Sequence, residues 1–170
     1  MTEKIVQTIT RELFAPYGDM IEPNSDSSDL INSGSVQRFR DLSRIHLLGP
    51  DSQACVHIYR AKAMHEPMIL YQMERHPFGS QLFMPLNGQS FIMVVTPRAS
   101  SKPMLHELCA FLVDGGRGVN LLPGIWHHSL LSLAADSDFL VVERASPQEN
   151  FNGYILDEPI CLSMSAIQRT

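Results

Sequence analysis

The chain of 170 residues has no long apolar run, no cluster of basic residues and no paired set of cysteines. A helix that crosses a bilayer needs roughly 20 consecutive apolar residues, so no membrane segment is expected. Lys and Arg number 13 against 18 Asp and Glu, a formal net charge of −5, which argues against a nucleic-acid-binding surface. Cys55, Cys109 and Cys161 are odd in number and far apart, unlike a disulfide framework or a zinc knuckle. They read as free or buried thiols of a reducing, cytoplasmic compartment. The opening MTEKIVQTITREL has no apolar stretch behind a basic one, so a secretory leader is not expected. Helical periodicity of any length is missing, as are repeats, low-complexity segments and linkers, and one domain over residues 1–170 is expected.

What the chain does have is short, β-branched and aromatic runs separated by turn residues. QRFRDL, ACVHIYRA, MILYQME, QLFMPL, FIMVVT, ELCAFLV, GVNLL, HHSLLSL and DFLVVER follow one another at strand spacing. This predicts an all-β barrel or sandwich with a few short helical segments. Towards the N-terminus the sequence predicts a strand, KIVQTI, a helical turn over RELFAP capped by Thr10, and a turn at Tyr17-Gly18. Glu22 to Gly34 is rich in turn formers and reads as a loop, either a lid or ordinary surface. Near the C-terminus, YILDEPICL either closes a barrel edge or crosses to a second subunit. An exposed edge invites pairing, so a homodimer is expected.

Two stretches concentrate polar residues among apolar ones: ERHPFGSQLFMPLNG from Glu74 and GRGVNLLPGIWHH from Gly116. Alternate strand residues share a face, so Glu74 and His76 point the same way. Their spacing resembles the first cupin motif, His-x-His, four residues, Glu, six residues, Gly, with Glu74, His76, Gln81 and Gly88 in register. The second stretch resembles the second cupin motif, with Gly116, Gly124 and His127 in place, Pro123 one residue late and Leu131 replacing the usual Asn. A cupin-type (double-stranded β-helix) barrel is therefore expected. Its metal set would be edited from three His and one Glu to Glu74, His76, Gln81 and His127.

The wording of FAPYGDMIE, RFRDL, IYRA, MERHPFGSQLFMPL, GVNLLPGIWHH and FLVVERA, in that order over nearly the whole chain, resembles the ureidoglycolate lyase (ureidoglycolate hydrolase) family within the cupins. The resemblance implies cleavage of ureidoglycolate to glyoxylate and urea in allantoin catabolism, a homodimer and a divalent metal, nickel. Cleaving that C–N bond needs a base for the hydroxyl proton, an acid for the departing nitrogen and a cation for the carboxylate. Histidine suits the proton transfers near neutral pH and arginine suits the carboxylate.

His76, His127 and Glu74 are the catalytic candidates. For the histidines the plain alternative is a satisfied core residue, and for Glu74 it is an ion pair with an arginine. Gln81 is placed to orient the urea amide, since its side chain both donates and accepts. His128 faces away from His127 in a regular strand and is either structural or, with a bulge, a second pocket group. Arg75 should point away from the Glu74 face. The carboxylate clamp is expected at Arg38, Arg60 or Arg144, with a strand-end charge as the alternative for each. Trp126, Phe83 and the methionines between Met64 and Met104 read as core. A metal at Glu74, His76, Gln81 and His127 is weighed against a metal-free site, because a glutamine oxygen is a weak ligand. Two other functions compete with the lyase: an amidohydrolase releasing ammonia and carbon dioxide, and a non-catalytic cupin that binds a small acid. The hydrolase normally wants fuller His and carboxylate ligation, and the sensor an attached DNA-binding module that the chain lacks.

Overall fold

Strands dominate the computed structural model, which describes residues 2–24 and 27–164. β1 (Thr2–Thr8) leads into α1 (Arg11–Phe14), whose first turn is capped by the Thr10 hydroxyl accepting from the Leu13 amide at 3.2 Å. The capped turn drives Phe14 into the core, where its ring meets Phe111 edge-on at 5.6 Å. β2 (Gly18–Ile21), β3 (Ser28–Ile31), β4 (Val36–Phe39), β5 (Gln53–Ala61), β6 (Met68–Arg75) and β7 (Gln81–Pro85) follow. The second half holds β8 (Phe91–Thr96), β9 (Cys109–Val113), β10 (Gly118–Leu121), β11 (Trp126–His127), β12 (Leu131–Ser132), β13 (Ser137–Ala145) and β14 (Asn152–Met164).

One sheet runs β11-β6-β14-β1-β9-β8-β12, and β11 pairs with β8 as well as β6, so the sheet closes on itself. The other runs β2-β10-β7-β13-β5. The result is an all-β, cupin-type barrel with short helical segments. β8 shows why its sequence is apolar without alternation: Phe91, Met93 and Val95 face one core cluster, while Ile92 and Val94 face another. The first cluster also takes Phe83, Phe139 and Val141; the second takes Leu70, Met73 and Trp126. Burial of each large side chain contributes about 1.5–3 kcal/mol.

Three expectations change. The segment read as a loop from Glu22 to Gly34 contains β3 and the turn of a β3–β4 hairpin, with residues 25 and 26 outside the described residues. Its turn formers make the bend, where Asn32, Ser33 and Gly34 all have positive φ. Gly18 opens β2 and pairs with Leu121. HHSLLSL is divided between β11 and β12, because His128 to Leu130 leave the ladder. The open alternative at the C-terminus resolves to closure within the chain, since β14 lies between β6 and β1.

Candidate active site

The site forms where β6, β7 and β11 meet β13 and β5. Glu74 pairs directly with His127 across the β6–β11 ladder. Gly124, at φ 79°, makes the tight turn that delivers Trp126 and His127 to that ladder. Trp126 is buried, and Arg75 lies over its ring at 4.8 Å on the side away from Glu74, as strand alternation requires. His76 follows the end of β6 and its ring centre stands 5.4 Å from that of His127.

Both rings are oriented by the main chain. His76 Nδ1 donates to the Asn150 carbonyl at 2.7 Å, and His127 Nδ1 donates to the Ile125 carbonyl at 3.0 Å. A carbonyl only accepts, so each Nδ1 carries a proton, and in the neutral ring each Nε2 keeps a lone pair. Among the described residues neither buried Nε2 atom has a hydrogen-bond partner, nor does the buried Gln81 Oε1. Glu74 Oε1 lies 3.6 Å from His127 Nε2. Ligand atoms of Glu74, His76 and His127 all fall within 4.8 Å of one another.

Buried polar atoms are rarely left unpaired. Two imidazole lone pairs beside a carboxylate, each imidazole tied down through its other nitrogen, form a donor set that suits a divalent cation. The residues present therefore fit a metal, with Gln81 the fourth cupin position. Burial, followed by the neighbouring His76, pushes the His127 pKa down to about 3, so its ring is neutral. Burial raises the Glu74 carboxyl above the usual range against the lowering pull of His76, and the charge of Glu143 adds to the rise.

An open cavity of about 450 Å³ lies beside this cluster, lined by Tyr59, Arg60, Glu74, Gln81 and Phe83 among others. That volume suits a small molecule. Glu74, His76, Gln81 and His127 are thus brought together, and Arg60 reaches the rim. There it forms a two-pronged pair with Asp138 at 2.8 and 2.9 Å. Arg38 stands on the exposed β3–β4 hairpin, paired with Asp29 at 2.7 Å. Arg144 is buried on the opposite face of β13, where it donates to the Leu48 carbonyl, Ser52 Oγ and Gln148. His128 turns out of the cluster, and its Nδ1 donates to the Ser129 carbonyl at 2.9 Å.

Three polar residues of the cavity region were not singled out from the sequence. Glu143 Oε2 accepts from Gln81 Nε2 at 2.7 Å; its Oε1 accepts from the Tyr59 hydroxyl at 3.1 Å and lies 3.4 Å from His57 Nε2. IYRA and FLVVERA contain Tyr59 and Glu143 next to the arginines that drew attention, so strand alternation was the available signal.

A closed cupin-type barrel, a histidine–carboxylate cluster and a cavity of small-molecule size define an enzyme-like cupin. The sequence comparisons narrow the class. The family model for ureidoglycolate lyase matches residues 2–163, and the chain belongs to the ureidoglycolate lyase family. It is 44% identical to the ureidoglycolate lyase of Brucella melitensis biotype 2 over 153 residues, which cover 90% of this chain and 89% of that one. For the Brucella anthropi enzyme the identity is 41% over 154 residues, covering 91% and 90%. For that of Pseudomonas fluorescens SBW25 it is 37% over 158 residues, covering 93% and 94%. Among solved structures the chain is similar to an RmlC epimerase of Mycobacterium tuberculosis, with a TM-score of 0.42 and 16% identity over 58% of this chain and 49% of that one.

Proposed function

We propose that this chain is a ureidoglycolate lyase that cleaves ureidoglycolate to glyoxylate and urea in allantoin catabolism. Membership of the family supports the substrate. The observation that carries the site assignment is the pair of unpartnered imidazole lone pairs beside Glu74. His76 Nε2, His127 Nε2 and a Glu74 oxygen would hold a divalent cation, for which nickel is the first choice. When bound, such a cation supplies Lewis-acid charge to the carboxylate and hydroxyl oxygens of the substrate.

The charges around the cavity favour that reading. Glu74 and Glu143 both stand at the site, and Arg60 already answers Asp138. An anionic substrate entering without a further cation would meet two carboxylates of its own sign. Of the three arginines Arg60 alone lines the cavity, but its guanidinium is taken up by Asp138, while Arg38 and Arg144 serve the hairpin and the packing behind β13.

Glu74 is the proton carrier. With one carboxylate oxygen toward the cation, the other stands within reach of the substrate hydroxyl and can take and return its proton. It takes the hydroxyl proton as the O–H electron pair becomes the second C–O bond. In the same step the C–N bond breaks with its electron pair on nitrogen, to which Glu74 returns the proton. The neutral His127 ring is a lone-pair donor and not an acid in this scheme.

The enzyme acts as a cytoplasmic homodimer in this reading. Cys55, Cys109 and Cys161 are all free, which suits a reducing compartment. The outer face of the second sheet carries two apolar rows across three strands, Met84–Leu140–Ile58 and Leu82–Val142–Val56. Val56 and Ile58 are 64% and 56% exposed on β5, an edge strand, and a second copy would cover them.

The deciding experiment incubates purified protein with racemic ureidoglycolate, with and without nickel, and counts urea and ammonia separately. Urea and glyoxylate in equal amounts, with half the substrate left, establish a stereospecific lyase. Ammonia in place of urea would make it a hydrolase, and no product with metal supplied would make it a binding protein.

A further inference from the structure

Gln81 is an amide, and an amide presents either two N–H donors or an oxygen acceptor depending on which way it is turned. Its neighbour decides. Gln81 Nε2 sits 2.7 Å from Glu143 Oε2, and a carboxylate accepts only. The NH₂ end must therefore face Glu143, which leaves Oε1 as the buried, unpartnered end of a residue that lines the cavity. The carboxylate is itself held from the other side. Its Oε1 accepts from the Tyr59 hydroxyl at 3.1 Å and faces His57 Nε2 at 3.4 Å. Burial, and then the charge of Glu143, push the Tyr59 pKa up to about 12, so the phenol keeps its proton and remains a donor. The His57 and Tyr59 rings lie side by side, 6.1 Å between centres, on the same face of β5.

We propose that Glu143, buttressed by Tyr59 and His57, is a positioning residue that locks the Gln81 amide with its oxygen free, so that the site selects substrates bearing N–H donors on a ureido group. This rests on the ureidoglycolate reading and adds to it a source of specificity. A pocket with a buried acceptor pays an unmet hydrogen bond when the ligand offers a methyl group in place of NH₂. With Glu143 absent, the amide turns freely and offers whichever end suits the ligand.

The test uses two unreactive inhibitors that differ at one group: ureidoacetate, and N-acetylglycine, in which a methyl replaces the terminal NH₂. In the wild type ureidoacetate should bind about tenfold more tightly, the usual scale for one buried hydrogen bond. Glu143→Leu should reduce the ratio to about threefold or less, mainly by weakening ureidoacetate, with the melting temperature recorded alongside. If that variant does not fold, Glu143→Gln keeps the shape without dictating the orientation and is read in the same way. A merely structural role would shift both inhibition constants together and preserve the ratio, which overturns the proposal. So would a wild-type ratio near one. Nickel affinity, measured by calorimetry on the same variants, should stay within about threefold of wild type. A tenfold loss of nickel with an unchanged ratio would reassign Gln81 Oε1 to the cation and also overturn it. Turnover of ureidoglycolate by the wild type keeps the two readings apart: with urea produced, a failed ratio removes only the role of Glu143. No turnover and no binding of either inhibitor removes both.

Discussion

Glu74 and Glu143 stand at the same site in opposite conditions. Glu143 accepts from Gln81 and Tyr59 and faces His57, so both of its oxygens are engaged. Among the described residues Glu74 has only the longer approach of His127 at 3.6 Å, and burial raises its pKa. A carboxylate that is fully engaged is held in one geometry. One left with few partners in a partly dry setting is free to exchange a proton or to meet a cation. In the proposed reading two chemically identical side chains thus take different parts, Glu143 orienting and Glu74 reacting.

The largest effect should come from breaking the reactive member. Glu74→Gln keeps shape but removes the proton carrier, and kcat should fall by about 100-fold or more, with a melting temperature close to that of the wild type. Initial rates and a thermal scan check this; near-normal kcat would take the proton transfer away from Glu74. Next is His127→Ala, which removes one lone pair facing Glu74. Turnover should drop about 100-fold and nickel affinity at least about tenfold by calorimetry. A variant that keeps both would leave His127 a core residue.

The contrast also has a pH signature in the metal-stripped protein. The folded pKa of His127, pushed down to about 3, lies below its unfolded value of about 6.5. As pH falls, the unfolded chain takes the proton first. The stability contributed by neutral His127 is therefore complete above about pH 6.5 and is lost between there and about pH 3, at up to about 1.4 kcal/mol per pH unit. Urea melts at pH 7 and pH 5 should show this slope, and His127→Gln should flatten it; an equal slope in both proteins would assign it to other groups. The smallest effect belongs to Arg38→Ala. It touches neither carboxylate, so kcat and KM should stay within about twofold of wild type, and a larger rise in KM would bring the hairpin to the substrate.

Much of the architecture was legible in the sequence, because cupin motif spacing is set by the chain's own geometry. Residues in register along β6 and β7 placed Glu74, His76 and Gln81, and the glycine turn before Trp126 placed His127. The Thr10 cap was readable for the same local reason. QRFRDL was readable as β4, but its partner β3 was not, because Leu30 is 69% exposed and no apolar alternation marks a strand that packs against little. Glu143, Tyr59 and His57 were missed for another reason. They meet Gln81 only through the pairing of β13 with β5 and β7, and that register is not written in any one segment. Attention fell on Arg60 and Arg144, one residue along from Tyr59 and Glu143. In a strand that single step moves a side chain to the opposite face.

The two site histidines take their tautomers from the carbonyls of Asn150 and Ile125. Asn150 also ties its side-chain oxygen to the Phe78 amide at 2.7 Å, clasping the loop before β14 to the β6–β7 connection. A carbonyl belongs to the main chain and persists through any substitution at its residue. The orientation of both rings is therefore buffered against sequence drift in a way that a carboxylate partner would not be. Neighbouring side chains are free to diversify while each Nε2 keeps its lone pair.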